Sequence, residues 1–303
     1  MKVVVSGSSG LIGEALGASL ASTGDEMIRL VRRPSASAAE IQWDPRAANG
    51  ALDPAALDGT DAVVHLAGAP VAAGRWTAAR KREIRDSRVA GTSGLVSALR
   101  AMDHPPSVLL SGSAIGYYGD TGGREVDESA PAGSGFLADV VRDWEAAATP
   151  ARDAGIRVVN LRTGLVLSRH GGVVGRLLPL FRLGLGARIG SGTQVMSWIT
   201  LTDVVRILRF LLDHRDVEGP VNLTAPHPAT NAEFTTALAS AVGHRARLGI
   251  PAAALQLGLG EVSGELLSSA RVLPARLLEA GRKELWLRGG PIGSALAAEL
   301  GPA

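Results

Sequence analysis

Short apolar runs alternate with longer stretches of helical periodicity over the first half of the chain. The first run, Val3 to Val5, is continuous and β-branched, which is typical of a strand buried on both faces of a parallel sheet. Helical patterns separate it from later runs at 27–31, 41–44, 61–66, 107–113 and 157–161. The two longest helical patterns cover 75–100 and 133–153. This alternation predicts an α/β fold with a doubly wound parallel sheet of the Rossmann type.

The first strand runs into a glycine-rich turn, GSSGLIG, at residues 7–13. Glycine permits a tight turn and a close backbone approach to phosphate, and the positive end of the following helix favours an anion there. The GxxGxxG spacing differs from the GxGxxG fingerprint, but its place after the first strand favours a dinucleotide site over a merely tight turn. The predicted cofactor contacts in the turn are Gly7, Ser8, Ser9, Gly10, Leu11, Ile12 and Gly13.

The end of the second predicted strand is cationic, since Arg32 and Arg33 follow residues 27–31. An NAD site usually carries an acidic residue here for the ribose 2′-hydroxyl, whereas arginine suits a 2′-phosphate. A charge-assisted hydrogen bond of this kind stabilises by roughly 1.5–3 kcal/mol. The alternative is a solvated arginine pair in a loop. Together with the glycine turn, the pair favours NADP(H) over NAD(H).

Ligands of open α/β sheets bind at the carboxyl ends of the strands. Small or polar residues at these ends complete the predicted cofactor site, namely Leu66, Ala67, Gly68, Ser111, Arg162 and Gly164. Ser113 ends the fifth strand, and Tyr117 and Tyr118 follow it, so these three are the candidate catalytic residues. His65 lies inside a strand and is interpreted as a core histidine. We predict no metal site.

The helical stretch at 75–100 is strongly basic in its first half. This half is either a solvated face or a site at which Arg75, Lys81, Arg85 or Arg88 meets an anionic group of cofactor or substrate. Three aromatic residues, Trp76, Phe181 and Trp198, form either an apolar wall near the nicotinamide or part of the core. Gln194 precedes Trp198 and is a further candidate substrate contact. Asp203 is interpreted as a helix cap.

The pattern becomes irregular after residue 165. It predicts helices at 173–183 and 201–212, short strands at 195–199 and 221–223, and a mostly helical tail from 231. Residues 1–165 with about 196–225 are expected to form the NADP-binding Rossmann domain. Residues about 166–195 and 226–303 are expected to form a small, mostly helical substrate-binding part that acts as a lid.

Composition excludes several classes of protein. The chain has 303 residues, 46% of them hydrophobic, and no apolar run of the ~18 residues that span a bilayer, so we predict no membrane interaction. It has no cysteine, which excludes disulfides and, with no signal-peptide layout, fits a cytoplasmic protein. The net charge is only +2, and no basic stripe with interleaved aromatics indicates nucleic-acid binding.

Several ordered motifs give the chain a resemblance to a known group over almost its full length. They are GSSGLIG at 7–13, RWTAARKREIRDSRVAGT at 75–92, SGSAIGYYGD at 111–120, DWE at 143–145, LRTGLVLSRHGG at 161–172, SWITLTD at 197–203 and RVLPARLLEAG at 271–281. The chain resembles the atypical extended short-chain dehydrogenase/reductases of the epimerase family, also called SulA-like or YfcH-like. The resemblance implies a Rossmann domain, NADP(H) and a small C-terminal substrate domain.

The chain departs from the wider superfamily at its catalytic positions. Ser113 resembles the superfamily serine, but the catalytic tyrosine falls near Phe136 and Leu137, and its lysine partner near Val141. These apolar side chains exchange no proton. The asparagine that often accompanies them is Arg88 here. Loss of the tyrosine–lysine pair is usual in the atypical family, so it does not by itself indicate an inactive protein.

Three functions follow from these residues. The first is an NADPH-dependent oxidoreductase acting on a small carbonyl-type substrate, with Tyr117, Tyr118 or a water as proton donor beside Ser113. The second is a redox-silent NADP(H)-binding sensor or scaffold. The third is an epimerase or dehydratase of the nucleotide-sugar type, which needs a competent base at neutral pH. The expected partner is a small-molecule substrate, and by analogy with related folds the helices at 75–100 and 133–153 would form a homodimer contact.

Overall fold

The predicted parallel sheet is present in the computed structural model, which describes residues 1–47, 52–72 and 74–301. Within these residues the strands are β1 (Lys2–Ser6), β2 (Glu26–Val31), β3 (Glu40–Gln42), β4 (Ala62–His65), β5 (Val108–Ala114), β6 (Glu125–Val126), β7 (Arg157–Thr163), β8 (Leu165–Leu167), β9 (Ala187–Ile189), β10 (Val195–Met196), β11 (Trp198–Thr200), β12 (Gly219–Leu223), β13 (Ala229–Thr230), β14 (Leu248–Ile250) and β15 (Arg271–Val272). Seven of them form the main sheet in the order β3-β2-β1-β4-β5-β7-β12, with every pair parallel.

Helices cover both faces of this sheet. Those in the described part of the chain are α1 (Leu11–Ser22), α2 (Ala78–Arg100), α3 (Phe136–Ala148), α4 (Gly172–Arg182), α5 (Leu201–Asp213), α6 (Asn231–Ala241), α7 (Ala252–Leu259), α8 (Val262–Leu267), α9 (Ala275–Glu279) and α10 (Ile292–Leu300), with 3₁₀ turns at Pro54–Leu57, Ile115–Tyr118, Thr149–Ala154 and Lys283–Leu285. One core cluster joins α1 and α5 to the sheet, and a second joins α2 to it. The doubly wound architecture is therefore confirmed.

The strand order reverses between β1 and β4. From β1 the chain proceeds through β2 to β3 on one side, and from β4 through β5 and β7 to β12 on the other. Val4 pairs in register with Ile28 of β2 and with Val63 of β4, and all three side chains are buried. In open α/β sheets this reversal leaves a crevice beyond the carboxyl ends of the two central strands. The glycine turn begins at the edge of that crevice.

Two predicted elements differ from the structure by more than a shift of their ends. The helix predicted at 133–153 is shorter, because α3 begins after Gly135, whose φ of +108° is not helical, and a 3₁₀ turn containing Pro150 follows it. The strand predicted at 195–199 is two short strands, β10 and β11. Ser197 separates them, and its hydroxyl donates to the carbonyl of Ala270 at 2.8 Å.

The C-terminal part has a core of its own. Trp198, Phe234 and Leu296 are buried in one cluster that joins β11, α6 and α10 to α4. Two-stranded pairs, β9 with β14 and β6 with β15, connect the tail to earlier segments. The tail is mostly helical, as predicted, while the domain boundaries stay a prediction. No helix in the described ranges combines the length and the apolar character needed to cross a membrane.

His65 is a core residue, as predicted. Its ring is fully buried, with Nδ1 at 2.6 Å from the Ser6 hydroxyl and Nε2 at 3.0 Å from the Thr92 hydroxyl. Burial lowers the pKa of His65 to about 4, because the charged ring loses its hydration. The ring is therefore neutral in the folded protein at neutral pH.

This buried ring makes stability depend on pH. The unfolded chain, with a histidine pKa of ~6.5, binds more protons than the folded chain between pH ~6.5 and ~4, so stability is lost as the pH falls through this window. We expect a loss of about 2 kcal/mol from His65 between pH ~7.5 and ~5, measured by urea unfolding. His65→Gln should remove this component, and replacing the exposed His104 should not. An equal pH slope in wild type and His65→Gln would refute the assignment.

Candidate functional site

In the glycine turn, the backbone of Gly7 and Gly13 lies so close to other backbone atoms that no side chain fits between them. Gly7 has a φ of +68°, and a Cβ there would lie 2.8 Å from the carbonyl carbon of Leu66. A Cβ at Gly13 would lie 2.4 Å from the oxygen of Gly7. Gly10 caps α1 without a side-chain hydrogen bond. The first backbone N–H groups of this 12-residue helix are therefore available as donors to another partner.

A cleft of about 780 Å³ opens beside this turn. It is bordered by the turn, the end of β2 and the loop after β4. Of the predicted cofactor contacts it is lined by Gly7, Ser8, Ser9, Gly10, Arg32, Arg33, Leu66, Ala67 and Gly68. Gly13 and Ile12 lie behind this lining, where Gly13 is buried and Ile12 packs on the core. Leu11 instead lies near Gly171 and Gly172, at the start of α4.

The two arginines after β2 have different surroundings. Arg33 donates from both terminal nitrogens to Glu40, at 2.8 and 2.5 Å, and this hydrogen bond lowers the pKa of Glu40 to about 2. Arg32 forms no ion pair or side-chain hydrogen bond with the residues that the structure describes, and it lines the same cleft. Arg29 and Arg46, which the sequence analysis did not select, line it too. Arg32 is thus the predicted arginine that is available to an anionic ligand.

Three further predicted cofactor contacts, Ser111, Arg162 and Gly164, also lie outside the lining of this cleft. Ser111 is fully buried in β5, in register with His65. Gly164 lies against another backbone segment, because a Cβ there would be 2.7 Å from the oxygen of Ser197. The guanidinium of Arg162 is engaged by a carboxylate. The surroundings of all three residues come from segments distant in the chain, and a local sequence pattern does not show such contacts.

Ser113 and Arg162 meet at one carboxylate, that of Glu145 on α3. The two residues are register partners on β5 and β7. Ser113 donates to Oε1 of Glu145 at 2.6 Å, while Arg162 donates to Oε1 at 2.8 Å and to Oε2 at 2.9 Å. Burial opposes the charge of Arg162, but the hydrogen bond and charge of Glu145 outweigh it and raise the pKa of Arg162. The result is a nearly buried, charge-compensated triad.

The two candidate tyrosines differ in what their hydroxyls can do. Tyr118 accepts from Arg162 at 2.9 Å and donates to Asn222 at 2.8 Å, and burial raises its pKa to about 12. Its proton is therefore committed within the protein. The ring of Tyr117 lies 3.5 Å from the guanidinium carbon of Arg162. No described residue bonds the Tyr117 hydroxyl, which makes Tyr117 the better candidate donor.

The helix face that carries the tyrosine–lysine pair in the wider superfamily is apolar here. Leu137 and Val141 lie one turn apart on α3 and pack on Gly116 of the 3₁₀ turn that follows β5. Glu145 is one further turn along the same stripe. Sequence reasoning missed Glu145 as a functional candidate, although the DWE motif and its spacing of four from Val141 were available signals.

The four basic residues selected from the 75–100 stretch do not converge on one point. Arg75 donates to the carbonyls of Leu257 and Gly258, and Lys81 pairs with Glu261, so both hold the α7–α8 segment.

The other two point elsewhere. Arg85 pairs with Asp143 at 2.6 Å on the outer side of α2 and α3. Arg88 is largely buried, donates to the carbonyl of Ala69 at 3.0 Å and lies over the Trp144 ring. Of the four, Arg88 is the one beside the cleft, because its guanidinium contacts Gly68. The side chain of Arg85 pairs with Asp143, and its role as a substrate contact stays a prediction.

The predicted apolar wall is mostly core. Trp198 is fully buried and donates to the carbonyl of His227, and Phe181 belongs to the same cluster. Gln194 is buried and donates to the carbonyls of Ile189 and Leu266 at 3.1 and 3.3 Å. Trp76 is half-buried and stacks edge-on against Phe136. For Trp198 the structure thus favours the core alternative, and Gln194 is occupied by two backbone carbonyls, so a substrate contact by either residue stays a prediction.

Asp203 is not the N-cap of its helix, because Thr200 holds that position and its hydroxyl accepts from the backbone N–H of Asp203 at 3.1 Å. Asp203 is buried in the first turn of α5, and its carboxylate accepts from the backbone N–H groups of Leu287 and Arg288. Burial raises its pKa. The prediction of a helix cap is therefore wrong: the carboxylate binds the backbone at 287–288 instead, because the fold places that distant segment beside it.

Comparison with known protein families adds to this geometry. Residues 3–224 match the family described as "NAD dependent epimerase/dehydratase family". Residues 250–281, which include α7 and α8, match a "Domain of unknown function (DUF1731)".

Individual proteins are similar over nearly the whole chain. The epimerase family protein Mb2239 of Mycobacterium bovis is 48% identical over 280 residues, 92% of each chain. The crystal structure of human epimerase family protein SDR39U1 (isoform 2) with NADPH has a TM-score of 0.87 at 36% identity, covering 98% of both chains. The nucleoside-diphosphate sugar epimerase from Corynebacterium glutamicum has a TM-score of 0.77 at 34% identity, covering 99% of this chain and 59% of that one.

Proposed function

Because the chain belongs to the NAD dependent epimerase/dehydratase family, we propose that it is an NADP(H)-dependent oxidoreductase of the atypical extended short-chain type. Its substrate would be a small carbonyl compound or the corresponding alcohol. The observation that carries the proposal is the cleft that joins the glycine turn to Arg32, which has no ion-pair partner among the described residues. The human relative at 36% identity, solved with NADPH, supports the same cofactor.

The residues of the cleft fit such a cofactor. The turn leaves no room for a Cβ at Gly7 or Gly13, and the open N–H donors of α1 suit a pyrophosphate. Arg32 would hold the 2′-phosphate. The cofactor supplies or accepts the hydride when bound. The protein's task is then to orient the substrate and to manage one proton at its oxygen.

The groups that would donate or accept the proton lie at the end of β5. Ser113 and Tyr117 stand at the carboxyl edge next to β4, whose following loop lines the cleft. Tyr118 is excluded as proton donor by its two hydrogen bonds. This constellation differs from the tyrosine–lysine pair of the superfamily, and Arg162 takes the place of lysine as the nearest cation to a tyrosine ring.

Two alternatives each have an observation in their favour. An epimerase of the nucleotide-sugar type is favoured by the 34%-identical relative of that name. A redox-silent NADP(H) sensor is favoured by the apolar residues Leu137 and Val141 at the superfamily's acid–base positions. The oxidoreductase is the stronger proposal because hydroxyl groups and a carboxylate remain at the edge of the sheet.

The decisive experiment is calorimetric titration with NADPH and NADH. We expect a preference for NADPH, and Arg32→Ala should weaken NADPH binding by roughly 10–150-fold, since a charge-assisted hydrogen bond contributes about 1.5–3 kcal/mol. NADH binding should change little.

Arg33→Ala is the matched control for this titration. Arg33 is adjacent and equally charged, but its guanidinium is occupied by Glu40, so its loss should weaken NADPH binding less than the loss of Arg32. If neither NADPH nor NADH bound, the proposed function would be refuted. Equal effects of the two substitutions would refute the assignment of the 2′-phosphate to Arg32.

A further inference from the structure

The direction of the Ser113 hydrogen bond limits what the site can recognise. Ser113 lies 2.6 Å from Oε1 of Glu145, and a carboxylate only accepts, so the hydroxyl proton points at Glu145. A hydroxyl has one proton and two lone pairs. What remains for a ligand is therefore a pair of acceptor sites, whereas polarising a ketone requires a donor.

We propose that Ser113 and Glu145 act together as the proton-accepting pair of this site, and that its substrate is recognised by a hydroxyl group at the reacting carbon. This inference rests on the proposed function and specifies its substrate class as an alcohol. Ser113 touches the substrate and is the catalytic residue of the pair. Glu145 acts through it and is a positioning residue.

The proposed step balances with NADP⁺ as oxidant. The substrate C–H bond breaks as hydride passes to NADP⁺, and the substrate O–H bond breaks as its proton passes to Oγ of Ser113. Ser113 releases its own proton to Oε1 of Glu145, so the alcohol becomes a carbonyl and NADP⁺ becomes NADPH. In the reverse direction Glu145 returns the proton through Ser113 to the substrate oxygen.

Charged and titratable groups from several elements surround this pair. Arg162 of β7 binds both oxygens of Glu145, and Tyr118 bonds Arg162 from the 3₁₀ turn. Arg88 of α2 lies over the ring of Trp144, the residue before Glu145. Because Arg162 and Arg88 are fixed cations, removing the charge of Glu145 leaves a net positive environment at Ser113.

A single cysteine can report the proton's position, since the natural chain has none. We would introduce Ser113→Cys and measure the thiol pKa from the ultraviolet absorbance of the thiolate. Adding Glu145→Gln should lower this pKa by about 1 unit or more, because the carboxylate no longer holds the thiol proton or repels the thiolate. Infrared spectra of Ser113→Cys alone should show the S–H stretch at lower frequency than that of a free thiol, which is the signature of a donor.

Asp143→Asn in the Ser113→Cys background is the matched control. It removes a carboxylate from the same helix that pairs with Arg85 instead, so the thiol pKa should stay unchanged. An undisplaced S–H stretch, or a thiol pKa that is insensitive to Glu145→Gln in a folded protein, would overturn the proposal. The infrared result decides if Glu145→Gln does not fold. Titration of the same variants with NADPH tests cofactor binding separately, so failure of the proposed function is distinguishable.

Discussion

Replacing Arg162 with methionine is expected to lower the free energy of unfolding by about 3–5 kcal/mol. Only 4% of the arginine side chain and 12% of the Glu145 side chain are exposed, so the substitution strands a carboxylate without its counter-charge. It also removes the donor to Tyr118 and the cation stacked on Tyr117. Urea unfolding at neutral pH measures the effect.

Two further variants test the cause of that loss. Arg142→Met breaks the exposed ion pair with Asp139, in which both side chains are 53% exposed, and should cost less than about 1 kcal/mol. Adding Glu145→Leu to Arg162→Met removes both buried charges and should restore much of the lost stability. A double variant as unstable as the single one would show that packing, rather than the uncompensated charge, causes the loss.

Gly13→Ala is expected to weaken NADPH binding by about 100-fold, which corresponds to losing one or two N–H contacts to a charged phosphate. The added methyl carbon would lie 2.4 Å from the oxygen of Gly7 and 2.7 Å from the Cα of Ser8. Both are backbone atoms, so the whole turn must move. Calorimetric titration with NADPH measures the change.

Gly17→Ala, the same substitution one turn further along α1, is the control. Its methyl group would meet the flexible end of Met27, at 2.7 Å from Cε, which can move aside. NADPH affinity should stay within about threefold, and helix stability should rise by ~0.5–1 kcal/mol, since alanine replaces glycine inside a helix. If both substitutions weakened binding equally, the turn would have no special geometric requirement at Gly13.

The periodicity of the chain was sufficient to predict the main sheet. Val3 to Val5 and the later apolar runs are continuous because both faces of each strand are buried. A continuous apolar run is visible in the local sequence. Gly7 and Gly13 could also be predicted from the sequence, since the turn requires residues without a Cβ. The location in the cytoplasm, the homodimer and the domain boundaries stay predictions.

The hydrogen-bond and ion-pair partners of individual side chains could not be predicted in the same way. The sequence selected Arg32 and Arg33 as a pair, but the proximity of β2 and β3 decides that Glu40 engages only Arg33. The α7–α8 segment likewise contacts Arg75 and Lys81, which precede it by more than 150 residues. Such contacts depend on how elements are placed, and periodicity does not encode that placement.

The sequence by itself determined the sheet, the glycine turn and the absence of the tyrosine–lysine pair. The tertiary structure decided which polar side chains lie together near the positions of that pair. Ser113 lies 32 residues from Glu145 along the chain, and Tyr118 lies 104 residues from Asn222, yet the fold brings each pair within 2.8 Å. A hydrogen bond depends on the distance between two atoms in space, whereas a sequence motif records only which residues are neighbours along the chain. The proposed site therefore lies where β5, β7 and α3 meet.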